Sequence, residues 1–168
     1  MGGGSDVDAA FKWQLSRSDG GDFLVLRESG TDAYNEYIKA FGGARTVATL
    51  ILNSRDAAND PSVLRYVQEA EAIFFAGGDQ SKYIDRIAGT ALEAELEASR
   101  VVRNVSIGGT SAGCAIQGDY IYTGQYGSAI SSEALEDPYD ENINGSIVPK
   151  MSLVDTHLES QTVVTGAE

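Results

Sequence analysis

The chain has 168 residues, 42% of them apolar, enough for one domain with a sizeable core. Its 12 Lys+Arg stand against 25 Asp+Glu, a formal net charge of −13, so there is no basic stripe to displace counterions and a nucleic-acid partner is excluded. No window is apolar over the length a membrane helix needs, and a single cysteine leaves no intrachain disulfide.

The N-terminus, MGGGSDVD, has neither a basic region nor an apolar stretch, so no leader is expected there and the default expectation is a cytoplasmic chain. After Asp19-Gly20-Gly21-Asp22, the short apolar run Phe23-Leu24-Val25-Leu26 predicts a buried strand. DAYNEYIKAF, residues 32–41, puts Ala33, Tyr37, Ile38 and Phe41 on one helical face, and Gly42-Gly43 ends it. TVATLIL, 46–52, is a second β-branched run. Asp60-Pro61-Ser62 opens a helix through VLRYVQEAEA, with proline in the first turn.

AIFFA, 72–76, predicts a third strand, followed directly by Gly77-Gly78-Asp79-Gln80. Helices are expected over 81–87 and over TALEAELEASR to Arg100, and a fourth strand over 101–107, ending in Gly108-Gly109-Thr110-Ser111. Strand and helix patterns alternate, and the strands are continuously apolar, which is the mark of a mostly parallel sheet covered on both faces. Ligands of such sheets bind outside the carboxyl ends of the strands, where both glycine-rich segments fall. From Gly118 to Ser146 the chain turns rich in Gly, Ser, Tyr and acidic residues and reads as loops with short strands. One more strand is expected over 151–154, leading into Asp155-Thr156-His157. Two glycosylation sequons begin at Asn104 and Asn144, the first inside what reads as a buried strand.

Gly109-Thr110-Ser111-Ala112-Gly113 fits G-x-S-x-G after a strand and before a helix, the setting a nucleophile elbow requires. Glycines relieve crowding so that the serine can occupy a strained turn, and the first amides of the following helix, Ala112 N–H above all, face developing negative charge. The same residues also fit a glycine-rich strand-to-helix turn without chemistry. A serine needs a base, and the one histidine is His157, placed after a strand; a lone histidine is equally at home on a surface or in a core. Gly77 or Gly78 could supply a second oxyanion donor, or simply ease a βα turn. Cys114 reads as a small apolar residue facing the sheet. One His and one Cys without ligand spacing make no zinc site, and no cofactor is expected.

Taken together and in this order, AIFFAGGDQSKYI, SIGGTSAGCAI, SSEALEDPYDENI and VDTHLES resemble the cyanophycinase-like serine peptidases, the branch that also holds the aspartyl dipeptidases. MGGGSDVDAAF resembles the glycine-rich turn after the family's early strand, so the likeness runs along essentially the whole chain as a single domain, 1–168. It implies an α/β fold, a three-layer α/β/α sandwich related to class I glutamine amidotransferases. It implies a nucleophile at Ser111, a base at His157, oxyanion donors at Gly78 and Ala112, and a substrate site lined by Gln80, Asp155 and Thr156. The implied partner is an aspartate-containing peptide substrate, cleaved at an aspartyl or β-aspartyl bond, and a homodimer is a further expectation.

Three departures from the family pattern stand out. The chain begins at the first glycine-rich turn, without a strand before it. Gln161 stands where cyanophycinases typically have an arginine. The acid that orients the family's histidine lies a few tens of residues further on, beyond SQTVVTGAE. The expectation is therefore a domain truncated at both ends, in which Glu28 or Asp79 are acids of unassigned role. The alternative to a working peptidase is a non-catalytic member that binds a peptide or a protein partner.

Overall fold

The computed structural model describes residues 1–118, 120–127, 130–137, 139 and 147–149. Four parallel strands form the sheet: β1 (Asp22–Arg27), β2 (Thr46–Ile51), β3 (Ala72–Phe75) and β4 (Ser106–Gly109), in the order β2-β1-β3-β4. Central β1 buries Phe23, Leu24, Val25 and Leu26 in succession. Continuous burial follows from having helices on both faces, which is why the run is apolar throughout rather than alternating.

One face is covered by α1 (Asp8–Arg17) and α2 (Tyr34–Lys39), whose Phe11, Leu15 and Ile38 pack with Phe23, Val25, Val47 and Phe74. The other face is covered by α3 (Pro61–Glu69), α4 (Gln80–Ile87), α5 (Ala91–Val101) and α6 (Ala112–Ala115). From these come Val67, Tyr83, Ile87, Leu92, Leu96, Ala112 and Ile116, packed on Leu24, Leu26, Ile73 and Phe75. The result is the expected three-layer α/β/α arrangement. Outside it, β5 (Tyr120–Tyr122) pairs antiparallel with β6 (Ile147–Pro149), and a short α7 spans Ser131–Glu136.

Local chemistry starts the helices where side chains can accept their first amides. The Asp60 carboxylate takes the Ser62 N–H at 2.7 Å with Pro61 in the first turn of α3, and the Asp79 carboxylate takes the Ser81 N–H at 3.0 Å at the start of α4.

Two elements differ from expectation. The strand expected over 101–107 starts only at Ser106, because α5 runs on through Val101. Leu92, Leu96 and Ser99 continue its buried stripe, Val102 is 79% exposed, and Asn104 turns the chain with φ +56°. Asn104 is therefore exposed in a turn rather than buried in a strand, while the sequon's Val105 is buried and its Ser106 opens β4. Helix α1 has no counterpart in the expected elements. Its buried stripe of Phe11, Gln14 and Leu15 carries a polar member, which weakens the apolar period. Gln14 is buried because its Nε2 donates to the carbonyls of Ile73 (2.7 Å) and Ser106 (3.0 Å), fastening α1 across β3 and β4. The chain ahead of α1 is fastened in turn by Tyr34, whose hydroxyl donates to Asp6 at 2.8 Å.

Candidate active site

All four strands run in one direction, so their carboxyl ends share an edge. From β1 the chain moves outward to β2, whereas from β3 it moves the other way to β4. The topological switch thus lies between β1 and β3, where an open α/β sheet leaves a crevice. Glu28, following β1, and Gly77-Gly78-Asp79, following β3, flank that crevice. Thr110-Ser111 follows β4 one strand over.

Ser111 joins β4 to α6 with φ +50° and ψ −122°, a conformation that costs a non-glycine residue about 1–3 kcal/mol. The surroundings hold it there. The Ser111 N–H donates to the carbonyls of Met1 and Gly2, both at 3.2 Å, and its own carbonyl accepts from Cys114 and Ala115, both at 2.9 Å. Gly113 permits the close return of the chain: a Cβ there would overlap the carbonyls of Phe75 and Ala76. The Ser111 side chain is exposed to solvent.

The two glycine turns meet at this point. A Cβ on Gly77 would lie 3.4 Å from the Ser111 Cβ and 3.9 Å from its Oγ, so the 77–78 backbone passes beside the hydroxyl. Among the described residues nothing accepts the N–H of Gly78 or of Ala112. An exposed hydroxyl on a strained turn, beside backbone N–H groups without acceptors, can present its oxygen to a carbonyl and receive the charge that develops there. Helix α6 has only four residues, so this rests on its first amides and not on an extended helix dipole.

Under the 77–79 turn lies Glu28, 4% exposed. Its Oε1 accepts from the Ser29 hydroxyl at 2.6 Å and from the Asp79 N–H at 3.2 Å. Arg86 Nη1 donates to the carbonyls of Glu28 (2.5 Å) and Leu52 (2.7 Å) and stands 3.5 Å from Glu28 Oε2. Tyr83, fully buried, donates its hydroxyl to the carbonyls of Leu26, near the end of β1, and Ala76, just after β3, tying the two strand ends together. Burial pushes its phenol well above the ordinary value. The Asp79 carboxyl is held below its ordinary value, first by the Ser81 hydroxyl that donates to it at 2.6 Å and then by the Ser81 and Lys82 amides.

The structure thus brings together Gly78, Ser111 and Ala112. Gln80 opens α4 next to them, with its Nε2 donating to the Tyr122 carbonyl at 3.1 Å, which draws the 120–124 segment to the same edge. Asp155, Thr156, His157 and the strand expected over 151–154 lie outside the described residues. Cys114 is half-buried; Ala112, Gly113 and Ile116 are the buried members of that turn. Of the two unassigned acids, Asp79 caps α4 and Glu28 supports the turn before it. Arg86 and Tyr83 were not legible as parts of this edge, since both look like ordinary positions of an amphipathic helix.

No family model matches the chain. In fold the chain resembles a peptidase from an acI-B1 Actinobacterium, whose crystal structure aligns with a TM-score of 0.53 and 22% identity over 72% of this chain and 56% of that one. An α/β fold shared with a peptidase is the class that this likeness defines. In sequence the chain is cyanophycinase-like: it is 29% identical, over 129 residues, to the cyanophycinase of Geminocystis herdmanii (strain PCC 6308), covering 76% of this chain and 46% of that protein. The chain therefore spans about half the length of the relatives it matches.

Proposed function

We propose that the chain is a serine-type peptidase that hydrolyses aspartyl or β-aspartyl peptide bonds through an acyl-enzyme. The single observation that carries this reading is Ser111, an exposed hydroxyl held at positive φ between β4 and α6, with the 77–78 turn against its side chain. That geometry supports a nucleophile-elbow reading, and the likeness to a cyanophycinase supports the substrate class.

In this reading Ser111 Oγ bonds to the scissile carbonyl carbon while the His157 imidazole takes the hydroxyl proton. The carbonyl oxygen becomes an oxyanion and accepts from the N–H groups of Gly78 and Ala112. The C–N bond then breaks, the imidazole returns the proton to the leaving amine, and water repeats the sequence on the acyl-enzyme. Gln80, Asp155 and Thr156 line the substrate site. A half-buried Cys114 behind the turn is no competitor to the exposed serine.

The test is labelling with a fluorophosphonate probe. Wild-type protein is expected to be modified at Ser111, with Ser111→Ala unlabelled, His157→Ala slowed by at least about a hundredfold, and Cys114→Ala unaffected. β-Asp-Arg and Asp-X peptides then define the bond cleaved. Absence of labelling in protein shown folded by circular dichroism overturns the serine mechanism.

A further inference from the structure

We infer that Glu28 is the positioning residue of the oxyanion turn: its carboxylate, backed by Arg86, holds the 78–79 peptide and packs against the Gly78 Cα, and so anchors the residue whose N–H, in the preceding 77–78 peptide, is the oxyanion donor. The inference rests on the proposed serine-peptidase reading and adds a residue to which that reading assigned no role.

A carboxylate as buried as Glu28 is costly unless it is paired and hydrogen-bonded. Arg86 alone could meet that need, with its guanidinium 3.5 Å from Oε2 and its side chain only 19% exposed. Yet Glu28 does not turn wholly toward Arg86. Oε1 is aimed at the 77–79 turn, where it accepts the Asp79 N–H across 51 residues of sequence, and Ser29 holds that oxygen with a 2.6 Å hydrogen bond. Oε2 receives no hydrogen bond from the described residues, so its compensation is the charge of Arg86.

The fit against Gly78 is close. A Cβ on Gly78 would lie 2.7 Å from Oε1 and 3.1 Å from Cγ of Glu28, so the carboxylate occupies the space a side chain would need. Glycine at 78 is what lets the carboxylate reach the turn. A turn containing two successive glycines is otherwise free to flip its peptides. In a trans peptide the N–H and the C=O point in opposite directions. A flip of the 78–79 peptide would replace the Asp79 N–H with the Gly78 carbonyl, oxygen against carboxylate. The negative charge therefore permits one orientation and opposes the other. Arg86 ties the same carboxylate to the ends of β1 and β2 through the Glu28 and Leu52 carbonyls, so the turn takes its position from the rigid sheet. Glu28 touches no reacting atom in this arrangement; it acts through the turn.

Glu28→Gln separates this role from simple packing. Glutamine has the same shape, but its amide can accept from the Asp79 N–H in one rotamer and donate to a flipped Gly78 carbonyl in the other, so the preference for one orientation is lost. Two measurements are made on the whole chain, each with a thermal melt as a fold control. Amide exchange by NMR is expected to show faster exchange at Asp79 in Glu28→Gln, with the amides of β1 and β3 unchanged. Saturation kinetics of fluorophosphonate labelling are expected to show a rate constant for Ser111 modification lower by about tenfold, with the initial binding constant unchanged. Ser29→Ala, which only loosens Oε1, keeps the test open if Glu28→Gln does not fold; it is expected to shift both readouts in the same sense by a smaller factor.

Unchanged exchange at Asp79 overturns the inference. So does faster exchange with an unchanged modification rate, since the turn would then be held without serving the serine. Wild-type protein that never reacts at Ser111 sinks the serine reading, and catalytic positioning falls with it. The exchange data still show in that case whether Glu28 orders the turn, which distinguishes the two failures.

Discussion

Ser111 and Gly113 differ in what their backbones ask for. Gly113 lies where any Cβ would meet the Phe75 and Ala76 carbonyls, so glycine there is required by space. Ser111 occupies a positive-φ position that glycine would adopt without strain, so the serine is retained at the expense of stability. Ser111→Gly is therefore expected to stabilise the fold by about 1 kcal/mol, raising the melting temperature by about 2–4 °C while abolishing fluorophosphonate labelling. Calorimetry of the two proteins checks this, and an unchanged or lower melting temperature would show that the turn is not strained.

At the level of elements, α4 begins where the 77–79 turn ends, so its cap and the candidate site share Asp79. The cap sets a pH dependence whose sign follows from the lowered Asp79 pKa. An acid whose folded pKa lies below its ordinary 3.8 contributes stability above that value and loses it as pH falls through the lower, folded value. Asp79→Ala is expected to cost about 1 kcal/mol at neutral pH, as lost caps do, with most of the difference from wild type gone in strong acid. Urea melts at about pH 7 and about pH 2 measure it; a difference that persists in acid would mean the carboxylate charge is not what caps α4.

For the whole molecule, α1 joins the layers through a cluster rather than through its own helix propensity. Phe11 is fully buried, with its ring centroid 4.7 Å from Phe74 and 5.4 Å from Tyr37, while Gln14 beside it caps two strand carbonyls. Phe11→Ala is expected to cost about 3–5 kcal/mol, a large share of the roughly 5–15 kcal/mol that stabilises a domain. Because α1 lies against β3 and β4, the loss should loosen the Ser111 turn as well, and chemical denaturation followed by Ser111 labelling would register both. Labelling unchanged in a strongly destabilised variant would show that the turn is independent of α1.

Much of this was legible in the residues themselves. The runs FLVL and AIFFA read as buried strands rather than helices because they are short, continuously apolar and each flanked by a glycine-containing turn segment. Asp60-Pro61 and Gly42-Gly43 marked helix ends by local backbone chemistry, and the glycines around Ser111 announced a sharp turn. Helix α1 was not legible, since its stripe includes a glutamine whose burial makes sense only once the Ile73 and Ser106 carbonyls are in place. Nor was the start of β4, because Val101 and Val102 are β-branched residues that end a helix.

What only the tertiary structure decided is adjacency across strands. The order β2-β1-β3-β4 puts the end of β1 beside the end of β3, and only then does Glu28 reach the Asp79 amide, 51 residues away. No local pattern encodes that pairing. It follows from which faces the helices must cover and from the handedness of the crossovers between parallel strands. The chain by itself determined which segments would be strands and turns, through their local preferences; which turn meets which side chain was decided by the packing of the whole.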